Sequence, residues 1–73
     1  MGELVRRLVG GDQVIASWSS ADPGSYDAAA AALRRELEQG HSAARVDGQT
    51  LTSVTELPED ADVVVVTTAM GGG

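Results

Sequence analysis

The sequence predicts an α+β fold in which a single helix packs across a mixed sheet of four to five strands. Three observations lead to this prediction: a glycine-centred hairpin near the start, an alanine-rich helix in the middle, and four consecutive valines near the end. A chain of 73 residues has room for one small domain, which buries about 60% of the surface that its unfolded form exposes. Hydrophobic residues make up 42% and charged residues 22%, a composition typical of a folded domain.

The N-terminal segment predicts a β-hairpin. Residues 3–9 fit one face of a helix about as well as a short strand, so the segment that follows has to decide between them. Gly10 and Gly11 supply the positive-φ backbone that tight hairpin turns need, and residues 14–18 are β-branched and aromatic. We therefore expect two antiparallel strands joined at these glycines.

A helix is predicted from Pro23 to Gln39. Asp22 precedes a proline at the first helical position, Ser25 is a second possible N-cap, and Gly40 supplies the C-terminal stop. Five consecutive alanines give this segment the highest helix propensity in the chain. Apolar residues spaced i, i+4, i+7 and i+11 form one stripe that is expected to face the sheet: Tyr26, Ala30, Leu33 and Leu37.

The segment after the helix predicts a short strand at residues 43–46 and a turn at Asp47 and Gly48. We expect the residues that follow to be irregular, with Leu51 and Val54 as apolar anchors.

The strongest strand prediction covers residues 63–68, after an acidic turn at residues 57–62. Four valines without alternation indicate a strand buried on both faces, at the centre of its sheet. A terminal strand that pairs with the first strand after a helical crossover produces a mixed sheet with one helix across it. This arrangement is a β-grasp, predicted for residues 1–70 and followed by a flexible glycine tail at residues 71–73.

The chain lacks two residue types that carry much of covalent enzyme chemistry. Without cysteine it has no disulfide, no thiolate metal site and no cysteine nucleophile. All five cations are arginine, so a lysine Schiff base and a P-loop lysine are excluded as well. Eleven acidic residues give a net charge of −6, which disfavours nucleic acid and anionic membranes as partners.

Targeting and membrane segments are not evident in the sequence. No stretch approaches the roughly 18 apolar residues that suggest a membrane span. The first residues lack the charged-then-apolar design of a signal peptide, and Arg6 stands where N-myristoylation expects Ser or Thr. We therefore expect a soluble cytoplasmic protein.

The order and length of these elements resemble those of ubiquitin-like proteins, including the sulfur carriers of thiamin and molybdopterin biosynthesis. The resemblance covers nearly the whole chain in pattern and depends on a few features. These are Gly10-Gly11, the helix from about Pro23, the turn at residues 47–51, the acid-rich turn at residues 60–62, the valine strand and terminal Gly72-Gly73. The family usually ends in two glycines and this chain has three, so Gly71 either lengthens the arm or the mature end lies elsewhere.

The resemblance implies a substrate and carrier rather than an enzyme. A carboxylate is anionic at neutral pH and a poor acylating agent, so an ATP-dependent adenylating (E1-like) partner would activate the carboxylate of Gly73. A sulfur donor would then convert it to a thiocarboxylate for a downstream acceptor enzyme. The chain itself would hold no cofactor and no metal, since ATP is used by the partner. Gly71, Gly72 and Gly73 carry no Cβ, which lets such a tail enter a narrow channel.

Two alternatives from other classes stay open. One is a protein modifier joined through its C-terminal glycine to lysines of other proteins, and the other is a non-covalent ubiquitin-like adapter. The absence of lysine rules out lysine-linked chains built on this protein, but single attachment to other proteins remains open.

The activating partner is expected to recognise an apolar patch near the tail, as it does in the family that the sequence resembles. The candidate docking residues are Val64, Val66, Ala69 and Met70. Methionine adapts its shape to a partner at low cost, which favours Met70. The alternative is that Met70 covers the end of the core.

The remaining polar residues are interpreted as structural or solvated. His41 is the single histidine and is expected to be solvated or to cap the helix exit. A cluster of acids lacks the spacing of a calcium loop, so we expect a solvated turn: Glu56, Glu59, Asp60 and Asp62. The arginines are expected to form a solvated set: Arg6, Arg7, Arg34, Arg35 and Arg45.

Overall fold

The structure is a computed structural model that describes residues 1–8 and 10–68. In this part of the chain it shows a small α+β domain with one helix and a five-stranded mixed sheet. The elements in chain order are β1 (Gly2–Leu8), β2 (Gly11–Trp18), α1 (Pro23–Glu38), β3 (Ser42–Asp47), β4 (Thr50–Val54) and β5 (Val63–Thr67).

The valine strand β5 lies at the centre of the sheet, whose strand order is β2-β1-β5-β3-β4. It runs parallel to β1 and antiparallel to β3, while β1–β2 and β3–β4 are antiparallel hairpins. A parallel pair needs a long crossover connection, which here includes α1. The predictions of an N-terminal hairpin, a mixed sheet and a central valine strand are confirmed.

Helix α1 packs on one side of the sheet, which we call the helix face. The core between them is centred on Leu4, Leu33, Val64 and Val66, with Ala29 on the helix and Ala43 on β3. Fully burying an aliphatic side chain of this size stabilises the fold by about 1.5–3 kcal/mol. The opposite side of the sheet, away from α1, is called the open face.

Trp18 closes the core at the end of β2. Its indole is buried and packs directly over Gly2, where a Cβ would lie 2.2 Å from Trp18 Cζ2. The indole N–H donates to the carbonyl of Glu59 at 3.3 Å, which ties the acidic loop to the sheet. Gly2 is therefore required because the backbone and the indole approach each other closely.

The helix begins at Pro23 as predicted and ends one residue before the predicted Gln39, but its buried face is rotated. Pro23 stands at the first turn, and Gly40 adopts φ +90° after the helix, as a C-terminal stop requires. The buried helical residues are Ala29, Leu33 and Glu36, whereas three members of the predicted stripe are partly buried: Tyr26, Ala30 and Leu37.

Neither predicted N-cap side chain caps the helix. Asp22 occupies the N-cap position without a side-chain hydrogen bond to the first turn. The Ser25 hydroxyl instead accepts from the N–H of Ser19 at 3.0 Å and donates to the carbonyl of Asp22 at 2.6 Å.

Residues 50–54 form the regular strand β4, which corrects the prediction of an irregular segment. β-branched residues at Thr50, Thr52 and Val54 suit a pleated strand, and Gly48 turns the chain into it at φ +62°. Leu51 is 61% exposed and is not an anchor of the core, because it lies at the sheet edge, while Val54 packs against the core.

In the described residues, no helix is long and apolar enough to cross a membrane.

Candidate functional site

The predicted carrier segment follows the central strand of the sheet. β5 ends at Thr67, and the next residue, Thr68, is partly buried. The predicted site residues Ala69, Met70, Gly71, Gly72 and Gly73 lie outside the described residues. The structure defines the strand that precedes this segment and the two faces of the sheet beside that strand.

Val64 and Val66 are fully buried on the helix face, where they pack in the core with Leu4 and Leu33. This corrects the expectation that these two valines present a docking surface, because a side chain without exposed area offers none. Alternation along a strand sends the neighbouring side chains to the opposite side. Val63 and Val65 therefore point to the open face.

The open face carries an apolar band across the sheet, with one exposed acid, Glu3 of β1, beside Val63. Paired residues on adjacent strands point to the same side, and the pairing aligns one row through four strands: Val14, Val5, Val65 and Ala44. A second row joins Val63, Val46 and Leu51. Val5 and Val65 are buried yet are not part of the core cluster beneath α1, in agreement with this assignment.

The apolar band, defined as these seven residues, borders a polar row where β5 ends. That row consists of Asp12, Arg7, Thr67 and Ser42. Arg7 Nε lies 3.9 Å from Asp12 Oδ1, and both side chains are exposed. An apolar centre with a polar rim is the composition of a protein-binding surface. The sequence could not identify these residues, because four consecutive valines carry no alternation that separates one face from the other.

A cluster of Arg6, Glu36 and His41 lies on the helix face near the end of β5. Arg6 pairs in register with Val66, and His41 immediately precedes β3. Arg6 donates to both carboxylate oxygens of Glu36, from Nε at 2.9 Å and from Nη2 at 2.8 Å. Nδ1 of His41 lies 3.3 Å from Oε1 of the same carboxylate.

Electrostatics stabilise the charged form of Glu36 even though its side chain is only 5% exposed. The hydrogen bonds from Arg6 lower the pKa of Glu36 more than burial raises it, and His41 contributes in the same direction. The same contact raises the pKa of the Arg6 guanidinium. Because the carboxylate is already paired, this cluster holds the end of α1 on β1 rather than supplying a free base. Arg6 is thus not the solvated residue that the sequence predicted. His41 is not solvated either but matches the other prediction, a cap at the helix exit, because its backbone N–H donates to the carbonyl of Glu36 at 3.2 Å.

Arg45 connects β3 to the acidic loop. Its Nη1 lies 3.2 Å from Asp60 Oδ1, and its Nε lies 2.9 Å from Asp47 Oδ2. The hydrogen bond from the guanidinium to Asp60 raises the pKa of Arg45 most, and the one to Asp47 raises it further. The expectation of a fully solvated Arg45 is corrected, since the side chain holds the loop that leads into β5.

Two surface clefts flank Tyr26, whose hydroxyl donates a short hydrogen bond to the carbonyl of Leu57. One cleft, of about 300 Å³, lies between α1 and residues 55–57, and the other, of about 360 Å³, lies beside Trp18. In the described residues, no group of three or more histidine or acidic side chains is arranged to hold a metal ion.

No family model, curated protein or solved structure matches this chain.

Proposed function

We propose that this chain is a ubiquitin-like, β-grasp sulfur carrier whose C-terminal glycine carboxylate is activated by a partner enzyme. The observation that carries the proposal is the central position of β5. This strand is hydrogen-bonded on both sides, to β1 and to β3, and ends at Thr67, four residues before the first glycine of the tail. In the sequence, this strand is followed by a segment whose last three residues have no side chains.

The chemistry takes place on the carboxylate of Gly73. One of its oxygens attacks the α-phosphate of ATP, forming an acyl adenylate and releasing pyrophosphate. Sulfide then attacks the carbonyl carbon, and AMP leaves with the former carboxylate oxygen. The product is a thiocarboxylate, which a downstream enzyme uses as its sulfur source. The chain binds no cofactor in this scheme, and the need for ATP favours the cytoplasm.

The apolar band on the open face is the proposed docking surface for the activating enzyme. It replaces the buried Val64 and Val66 in this role and includes Val63 and Val65 of β5, the strand that precedes the glycine segment in the sequence. Val14 and Leu51 are its most exposed members and are available to a partner without rearrangement of the core. An acidic chain of net charge −6 favours an activating enzyme whose surface around this patch is basic.

The mass of the intact protein, purified from its native host, tests the proposal. We expect the exchange of one oxygen for sulfur at the carboxyl end, and the same spectrum identifies the residue at which the mature chain ends. A variant that lacks Gly72 and Gly73 is the control and should show no exchange. A Gly-Gly remnant on lysines of other proteins would instead establish a modifier. If the carboxyl end stays unmodified with ATP, sulfide and each adenylating enzyme of the host, the non-covalent adapter is the remaining hypothesis.

A further inference from the structure

The two edges of the sheet differ in their protection against pairing with another chain. On β2, the pairing with β1 shifts register between Leu4 and Val5, which leaves Ile15 as an extra residue, and Asp12 adds a charge. Bulges and charges on an edge discourage further pairing. β4 contains no charged residue and no proline, and its pairing with β3 runs without a register shift.

The outer edge of β4 is also uncovered. Within residues 1–8 and 10–68, no strand pairs with this edge, and residues 50–53 are exposed. An edge strand has unpaired backbone N–H and C=O groups that can pair with an added strand. Leu51 adds an exposed apolar side chain on the open face at the same place.

We propose that β4 pairs antiparallel with β4 of a second copy of this chain, about a two-fold axis at Thr52. This register places Thr50 opposite Val54 of the second copy and Leu51 opposite its Ser53. The two strands then overlap over all five residues. The two sheets then form one continuous ten-stranded sheet. One symmetric contact pairs the outer β4 edges of the two copies with each other, as expected of a two-fold interface.

The side chains of β4 argue for a second copy as the occupant. An uncharged strand is best matched by another uncharged strand, because a charge directly across would lose hydration without gaining a partner. The two Leu51 side chains become diagonal neighbours on the open face, within reach of each other. The nearest acid before the strand, Asp47, already pairs with Arg45 of its own chain.

The proposed dimer keeps the carboxyl ends of the two β5 strands far apart. The two β5 strands would be separated by two β3 and two β4 strands, which is about 24 Å at the usual strand spacing. Each copy carries a net charge of −6, so the repulsion between copies weakens the dimer at low ionic strength and salt should strengthen it.

Sedimentation equilibrium of the full chain over a concentration series tests the pairing. A contact between two five-residue strands lies at the small end of specific interfaces. We therefore expect a dissociation constant on the order of 0.1 mM, and a smaller one at higher salt. Thr52→Lys and Thr52→Glu each place like charges across the axis and should weaken the dimer by about tenfold. An equimolar mixture of the two variants should restore it as a heterodimer. Gln13→Lys and Gln13→Glu, on the other edge, are the matched controls and should leave it unchanged.

Three results would overturn the proposal. The first is a wild-type chain that stays monomeric up to about 1 mM at high salt, which would leave this edge to a strand of another protein. The second is an equal effect of the Gln13 variants, and the third is a charge-reversed mixture that fails to associate. If the Thr52 variants do not fold, amide exchange of the wild-type chain decides. Its β4 amides should gain protection with concentration, and unchanged protection contradicts the pairing.

Discussion

Arg6 and Glu36 face each other across the boundary between the sheet and the helix, joined by two parallel hydrogen bonds of 2.9 and 2.8 Å. Thirty residues separate them in sequence. A guanidinium matches a carboxylate in this two-pronged geometry, whereas a lysine ammonium does not. The pair therefore joins the last turn of α1 to β1 near the end of β5.

Replacing Arg6 with alanine should lower the thermal unfolding midpoint, because the Glu36 carboxylate, only 5% exposed, loses its main partner. Arg7→Ala is the matched control, since Arg7 is the next residue, points to the other face and is exposed. It should leave the midpoint nearly unchanged, because exposed ion pairs contribute little. Equal shifts for the two variants would contradict the assigned role of the pair. Differential scanning calorimetry measures both.

Stability should decline in acid through Glu36. Its pKa is lower in the folded chain than the ordinary value of 4.5, chiefly because of the hydrogen bonds from Arg6. The unfolded carboxyl takes up its proton at a higher pH, so the stabilisation is complete above the ordinary pKa and is lost as pH falls through the lowered one. Urea unfolding measured from about pH 6 down to about pH 3 should show this loss.

The Glu36→Gln variant removes the titrating group and should show a weaker dependence on pH over the same range. Glu38→Gln is the control, because Glu38 is an exposed acid on the same helix. It should retain the wild-type dependence. A Glu36→Gln profile that parallels the wild-type curve would show that other acids cause the decline.

Gly2→Ala should destabilise the protein by about 1–3 kcal/mol, as expected when extra volume is forced into a packed site. The added Cβ would lie 2.2 Å from Trp18 Cζ2 and 2.6 Å from the carbonyl oxygen of Ala61. Urea denaturation, followed by the fluorescence of Trp18, measures the change. Gly24→Ala is the matched control: its Cβ meets only Asp22 Oδ1 at 3.5 Å, and alanine favours the helix. A stable Gly2→Ala variant would contradict the close packing of the indole.

Val14→Asp should weaken recognition by the proposed activating enzyme by about tenfold, because it places a charge in the apolar band. Val14 is 53% exposed, so the substitution leaves the core intact. Leu8→Asp is the control, since Leu8 is 45% exposed on the same hairpin but lies outside the band. The measurement is the Michaelis constant for this chain in ATP–pyrophosphate exchange. Equal effects of both variants would remove the open face as the docking surface.

Much of the fold follows from the local conformational preferences of the residues in the sequence. The glycines of the hairpin, the proline and alanines of the helix, and the valine run each favour one backbone conformation before any tertiary contact forms. These segments predicted the hairpin, α1 and the central position of β5. Strand β4 was missed, because threonine and serine beside a turn fit a loop as well as an edge strand.

The tertiary structure alone decided which side of each strand meets the helix. Val64 and Val65 are chemically identical and adjacent, yet one packs beneath α1 and the other points to the open face. Strand alternation gives two equivalent choices, and only the position of α1 selects between them. Contact between Arg6 and Glu36 depends on the same selection, since residues 30 apart in sequence meet only when helix and sheet are assembled. The sequence by itself therefore determined the hairpin, the helix and the central strand, while packing determined the edge strand β4, the faces and their partners.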